Sequence, residues 1–228
     1  MSISQTSSPP PSVTVVVPVH NNARTLTELQ RRLHDAFSSE TLQLIVVDDA
    51  SHDGSLAVLA GLPVEVVSHA ASTGQNGAIL AGLARARAPL ACVLDADLQD
   101  PPEAMPELIE RLRLGDAQVV FSSRQAPFRL SSRVFRGVTR AVFPNLPHTP
   151  CLCFAIDEAA RTALLQTAGR SDYLVAVIGA LALRTTSVQV LRAQAPAANR
   201  GQRGFRRWRY AARMLRSIAT WKARSVRL

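Results

Sequence analysis

Only three cysteines occur in the 228 residues, Cys92, Cys151 and Cys153. The count is odd, and the Cys151-x-Cys153 spacing has no second pair to complete a zinc site. Buried or half-buried thiols in a reducing cytoplasm are the expectation. Also missing is any apolar run of the roughly 18–20 residues that a membrane-spanning helix needs. Met1 to Ser12 is Ser- and Pro-rich and has neither the basic start nor the apolar stretch of a signal peptide, so residues 1–12 are expected as a disordered leader. Acidic residues are absent from Arg200 to Leu228, where ten basic side chains lie. The body before them holds the other 16 basic residues against 17 acidic ones and is close to neutral. The net charge of +9 therefore belongs to the C-terminal segment, which asks for an anionic partner.

With 47% hydrophobic residues the chain supports one sizeable core, and disorder of the whole is excluded. Short aliphatic runs at Val13–Val19, Leu42–Val47, Val64–Val67, Leu90–Leu94 and Gln118–Phe121 read as buried parallel strands. Helical periodicity fills Ala23–Phe37, Ser55–Ala60, Gly77–Ala86 and Pro102–Leu114 between them, and Ser131–Val142 after them. Repeated strand–helix units imply a right-handed α/β fold whose mostly parallel sheet is covered on both faces. No repeat or linker divides the body, which spans residues 13–199 and leaves residues 200–228 as the basic segment. Ligands of such sheets bind beyond the carboxyl ends of the strands.

The informative residues fall at those ends. Leu94-Asp95-Ala96-Asp97-Leu98-Gln99-Asp100-Pro101-Pro102-Glu103 follows the fourth strand. Residues i and i+2 of an extended backbone point to one side, so Asp95 and Asp97 can converge on one Mg²⁺ or Mn²⁺, a hard cation that completes its shell with water and substrate phosphates. A solvated turn is the bland alternative, and Asp100 reads as a cap for the helix begun by Pro101 and Pro102. Pro18-Val19-His20-Asn21-Asn22 follows the first strand. After the second comes Asp48-Asp49-Ala50-Ser51-His52-Asp53-Gly54-Ser55, in which Asp53 or Ser51 reads as a cap. Asp48 and Asp49 are either solvated loop acids or hydrogen-bond acceptors for a base or ribose. Ser72-Thr73-Gly74-Gln75-Asn76-Gly77 is a turn entering a helix and able to approach phosphates, without the lysine of a P-loop or a GxGxxG.

The succession VVVPVHNN, VVDDASHDGS, STGQNGAILAGLARA, VLDADLQDPPE and FSSR resembles the inverting GT-A glycosyltransferases of family 2. It is most similar to the dolichyl-phosphate mannose synthase and bacterial polyprenyl-phosphate glycosyltransferase branch. The resemblance covers Val13 to Arg124 and resumes at Asn199–Arg206, which is similar to the family's Arg-x-Gly-x-Ser-Lys-Tyr type loop. It implies a GT-A fold. It further implies that Pro18, His20, Asn22, Val47 and Asp49 line a nucleotide pocket, and that Asp95, Ala96, Asp97 and Gln99 hold metal and diphosphate. Arg124, Arg200 and Arg206 would meet phosphates of donor or acceptor. The family commonly has Tyr and Glu where this chain has His20 and Asn22, which removes one carboxylate from the pocket. Its Ser/Cys-Gly-Phe-Arg element stands here as Cys151-Leu152-Cys153-Phe154-Ala155, and Gly204 replaces a serine.

The expected activity is transfer of a sugar from a UDP- or GDP-linked donor to a polyprenyl phosphate at the cytoplasmic membrane face. A lipid monophosphate with a second pKa near 6 is largely dianionic at neutral pH and needs no strong general base. Positioning and charge compensation would dominate, with the metal on Asp95, Asp97 and Gln99 and with arginines such as Arg124, Arg133 and Arg136 on the acceptor phosphate. Trp208, Ala211, Met214, Leu215, Ile218 and Trp221 gather on one side of a helical wheel, and Arg206, Arg209, Arg213, Arg216 and Arg224 on the other. That pattern suits a C-terminal amphipathic helix lying on an anionic membrane surface, or one packed on the body with its basic face in water. Two other readings are a glycosyltransferase with a saccharide or soluble acceptor and a non-catalytic nucleotide- or nucleic-acid-binding protein. Nucleic acid is disfavoured because the near-neutral body carries acids at each candidate site.

Overall fold

The computed structural model describes residues 9–124, 142–147, 150–169, 172–191 and 220. Its core is a seven-stranded sheet in the order β3-β2-β1-β4-β6-β5-β7. The strands are β1 (Val13–Val19), β2 (Leu42–Asp48), β3 (Glu65–Ser68), β4 (Leu90–Val93), β5 (Val119–Arg124), β6 (Phe154–Asp157) and β7 (Thr185–Val190). All pairings are parallel except those of β6, which runs antiparallel to both β4 and β5. The five expected strands are present, β1 with the expected bounds and the others with ends moved by at most three residues. β6 and β7, and the antiparallel insertion that β6 makes, are additions to the expected sheet. Ser12 is tied to the body through its backbone N–H to the Thr41 carbonyl at 2.9 Å and its hydroxyl to Glu40.

Side-chain alternation divides the core into two layers. Val13, Val15, Val17, Leu44 and Val46 face helices α1 (Leu26–Ala36), α2 (Ser55–Ala60) and α4 (Met105–Arg113). Val16, Ile45, Val47, Val93 and Phe121 face α3 (Gln75–Leu83), α5 (Glu158–Thr167) and α6 (Leu174–Ala180). Because both faces are covered, every residue of β1 is buried. Helix α1 buries Leu26, Leu29 and Leu33, a stripe at helical spacing, while its other face carries the exposed Arg31 with Glu28 and Asp35.

Helix α3 packs directly on the sheet at Gly82. A Cβ on Gly82 would lie 2.3 Å from Val16 Cγ1 and 3.1 Å from Val47 Cγ2. Val16 is β-branched and fully buried, so it has little rotamer freedom with which to retreat. Gly82→Ala is expected to cost about 1–3 kcal/mol and lower the melting temperature by several degrees. An unchanged calorimetric melt would show that the α3 layer can lift without loss.

Asp100 is fully buried, and the residue directly preceding the short 3₁₀ turn Pro102–Ala104 is Pro101. The α2 cap position is Gly54 at φ 85°, and Asp53 serves that helix from one residue earlier by accepting from Ser55 N at 3.0 Å. Cys92 and Cys153 are buried thiols, as expected, and burial pushes both to higher pKa. Cys151 is half-buried, within 3.1 Å of Ser122 Oγ. Among the described residues no helix is long and apolar enough to cross a membrane.

Candidate functional site

The chain order places β2 and β3 on one side of β1 and β4 on the other, which makes the gap beyond β1 and β4 the switch point of the sheet. Pairing of β1 with β4 ends at Val16–Val93, followed by the bond from Leu94 N to Val16 O at 3.1 Å. Pro18, two residues on, has no N–H to continue the ladder. The two chains diverge there and a cavity of about 420 Å³ opens. Its walls are Pro18, Val19, His20, Asn21 and Asn22 after β1, Asp49 after β2, Gln75 and Ala78 of α3, and Asp95, Ala96 and Asp97 after β4. Small-molecule sites commonly occupy about 300–1,000 Å³.

Hydrogen bonds stitch the three strand-end loops together. Asn21 N donates to Ser51 Oγ at 3.0 Å, Asn22 N to Ser55 Oγ at 3.0 Å, Ala23 N to Asp53 Oδ2 at 3.0 Å, and His52 N to Asn21 Oδ1 at 2.7 Å. Thr25 Oγ1 reaches Ala96 O at 2.6 Å and so joins the first loop to the third. Three non-glycine residues with positive φ, Asn21 at 60°, Ala50 at 58° and Leu98 at 56°, sit one in each of these loops. Such conformations persist where surrounding bonds over-determine them, and they concentrate at binding sites.

Asp49 is 3% exposed, and its carboxylate is enclosed by the loop after β3. Oδ1 accepts from His69 Nδ1 at 2.8 Å, Thr73 N at 2.7 Å and Thr73 Oγ1 at 2.9 Å, and Oδ2 from Ser72 Oγ at 2.7 Å and Gly74 N at 2.8 Å. Burial opposes its ionisation, but the donors from His69, Ser72 and Thr73 outweigh burial and hold the carboxyl well below the usual range. His20 is fixed through Nδ1 to the Asp49 carbonyl at 2.8 Å, and its ring meets His52 edge to face with centroids 6.4 Å apart. Asp48 is not a solvated acid: it is 2% exposed, its Oδ2 accepts from Ser51 N at 3.3 Å, and its Oδ1 meets no donor among the described residues.

Asp95 and Asp97 line the cavity together, both half-buried. Gln75 Nε2 donates to Asp95 Oδ1 at 2.5 Å. The Gln99 amide donates to Asp97 Oδ2, and Gln99 N donates to Asp97 Oδ1 at 3.1 Å. Among the described residues no cluster of three or more His, Cys, Asp or Glu side chains is arranged to hold a metal. Two carboxylate donors in an open cavity instead match a hard cation that draws its remaining ligands from water and phosphate, so the donor set fits Mg²⁺ or Mn²⁺.

Of the residues named from the sequence, the structure brings Pro18, His20, Asn22, Asp49, Asp95, Ala96 and Asp97 to one cavity. Val47 is instead fully buried in the core under α3. Gln99 stands behind Asp97 and does not line the cavity. Arg124 ends β5, with its side chain outside the described residues, as are Arg133, Arg136, Arg200 and Arg206. The expected C-terminal helix also lies outside them apart from Thr220. Val19, Asn21, Gln75 and Ala78 are cavity residues that the sequence reading left unassigned. Gln75 stood within the turn read as approaching phosphates, two residues before the expected start of α3.

A cavity at the switch point, with two acids in its wall, is where an open α/β sheet of this kind binds a ligand. Residues 14–151 match the glycosyl transferase family 2, and the chain belongs to that family. It is 34% identical over 196 residues to an undecaprenyl-phosphate 4-deoxy-4-formamido-L-arabinose transferase from Pseudomonas paraeruginosa, covering 80% of this chain and 58% of that protein. The chain thus spans well under two thirds of this relative's length. Mannosyl-3-phosphoglycerate synthase from Rubrobacter xylanophilus shares the fold with a TM-score of 0.70 at 21% identity, covering 96% of this chain and 76% of the other. Glucosyl-3-phosphoglycerate synthase from Mycobacterium tuberculosis, solved with Mn²⁺, UDP-glucose and phosphoglyceric acid, does so with a TM-score of 0.65 at 20% identity, covering 94% and 80%.

Proposed function

We propose that the chain is a metal-dependent, inverting glycosyltransferase that moves a sugar from a UDP- or GDP-linked donor to a polyprenyl phosphate at the cytoplasmic face of a membrane. The observation that carries this reading is the convergence of Asp95 and Asp97 on the cavity that His20, Asn22 and Asp49 enclose from the other side of the switch point. The polyprenyl phosphate acceptor is supported by the named function of the 34% identical relative.

In this reading the nucleoside lies against the β1 and β2 loops and the diphosphate reaches toward the Asp95–Asp97 loop. A bound Mg²⁺ or Mn²⁺ would neutralise charge on the departing nucleoside diphosphate. Asp95 and Asp97 would hold that ion, Gln99 would orient Asp97, and His20 and Asn22 would offer polar edges to the nucleoside. A phosphate acceptor arrives already deprotonated, so none of these carboxylates has to take a proton. Arg124, Arg200 and Arg206 are the candidates for orienting acceptor or donor phosphates bidentately.

Incubation with a panel of UDP- and GDP-sugars, Mg²⁺ or Mn²⁺ and undecaprenyl phosphate tests the reading. A chloroform-soluble glycolipid is expected, whereas product confined to the aqueous phase would replace the lipid with a soluble acceptor. The membrane contact is tested separately. Deleting residues 208–228, whose sequence holds basic and apolar residues and no acid, is expected to release the protein from vesicles containing acidic lipid, since each basic residue near such a surface contributes on the order of 1 kcal/mol. Donor binding by the body should survive. Aggregation of the truncated chain in detergent-free buffer would mean that the segment packs on the body.

A further inference from the structure

We infer that Gln75 is a positioning residue of the metal site, holding the first carboxylate of the Asp95-x-Asp97 pair from across the cavity. The inference rests on the metal-site reading above. Each carboxylate of the pair is gripped by a glutamine amide. Gln99 grips Asp97 from two residues away in the same loop, whereas Gln75 grips Asp95 from the first turn of α3, 20 residues earlier in the chain. Gln75 also lines the cavity, which places its amide beside any ion or phosphate bound there.

Its position is fixed from behind. Gly74, at φ 81°, turns the chain into α3, and the backbone N–H groups of Thr73 and Gly74 are both anchored on the buried Asp49 carboxylate, at 2.7 and 2.8 Å. A continuous set of contacts therefore runs from Asp49, through the Thr73–Gly74 turn and Gln75, to Asp95. The acid on the nucleotide side of the cavity sets where the acid on the metal side points.

The residue type fits the task. An ionised carboxylate offers about four lone-pair sites, so one amide N–H leaves sites for a cation. A lysine or arginine here would hold Asp95 equally well but would place a positive charge where the ion has to sit. A neutral donor orients the ligand without competing for the site. Partners of this kind typically change metal affinity by about 10–100-fold when removed.

Mn²⁺ binding to the full chain, followed by the electron paramagnetic resonance signal of free Mn²⁺ with UDP or, in a second arm, GDP present, tests the inference. Gln75→Ala is expected to weaken Mn²⁺ about 10-fold or more. Gln75→Met, which keeps the length and removes the donor, should weaken it as much. Gln75 is exposed, so both variants should melt like the wild type. In an Asp95→Ala background, which has no side-chain acceptor, Gln75→Ala should add little, because its effect passes through Asp95. Turnover at saturating donor should recover as Mn²⁺ is raised. Wild-type affinity in Gln75→Ala or Gln75→Met, or an undiminished effect in the Asp95→Ala background, would overturn the inference while the metal site stands. A wild-type chain that binds no Mn²⁺ with either nucleotide would overturn the metal-site reading and this inference with it.

Discussion

Asp97→Asn and Asp95→Asn are each expected to lower sugar transfer by about 10³-fold or more while leaving the fold intact. The size follows from the charge removed: a metal that stabilises a leaving diphosphate contributes several kcal/mol, and each 1.36 kcal/mol is a factor of ten in rate. Intactness follows from the setting. Both side chains are half-buried at a cavity wall, and asparagine keeps their volume. Asparagine also retains an oxygen that can accept from Gln75 or Gln99. Two carboxylates two residues apart repel each other without a cation, so removing one should leave the melting temperature unchanged or slightly raised, as for other sites tuned for function over stability. The measurements are turnover across a Mg²⁺ and Mn²⁺ titration, Mn²⁺ affinity and a thermal melt on one preparation. Retention of most turnover by either variant at saturating metal would remove the Asp95–Asp97 pair from the chemistry.

These two acids were legible in the sequence because they depend only on local geometry. An i, i+2 pair at the end of an apolar strand shares a side whatever the rest of the chain does. Strands β1, β2 and β4 were legible for a related reason: a strand covered on both faces reads as a run of apolar residues, as in β1 and β2. β7 and helix α6 give no such signal. β7 is an edge strand, Thr-Thr-Ser-Val-Gln-Val, whose alternating exposure leaves polar residues throughout. Helix α6, Leu-Val-Ala-Val-Ile-Gly-Ala, is buried on nearly all sides and has the composition of a strand, and only its packing against Phe143 and Leu146 distinguishes it. The second life of Asp49 was illegible because its partners, His69 to Gly74, are 20 to 25 residues away. The same distance hid the Gln75–Asp95 contact.

Replacement of Asp49 should therefore show in both stability and donor binding. Five donors converge on its carboxylate, and hydrogen bonds to a charged acceptor are individually worth about 1.5–3 kcal/mol, so Asp49→Ala is expected to destabilise the chain by about 3 kcal/mol after the loop relaxes toward water. The effect depends on pH with a definite sign. The folded-state pKa is depressed, so the carboxylate's contribution is fully present above the unfolded value of about 3.9 and is lost as pH falls below it toward the folded value. Wild type should lose stability steeply from about pH 5 downward, and Asp49→Ala should be flatter over the same range. Asp49→Asn, which keeps the shape but turns its N–H₂ group toward either the Thr73 or the Gly74 amide, should resemble alanine in that flattening. For catalysis, the loop that Asp49 anchors and the cavity wall it forms are needed alike before and during the reaction. The donor KM should rise about 10-fold or more with a smaller loss of kcat. Parallel acid-denaturation curves for wild type and variant would show that the donors around Asp49 do not hold its charge. A large fall in kcat at unchanged KM would move Asp49 from the nucleotide side of the cavity to the reacting centre.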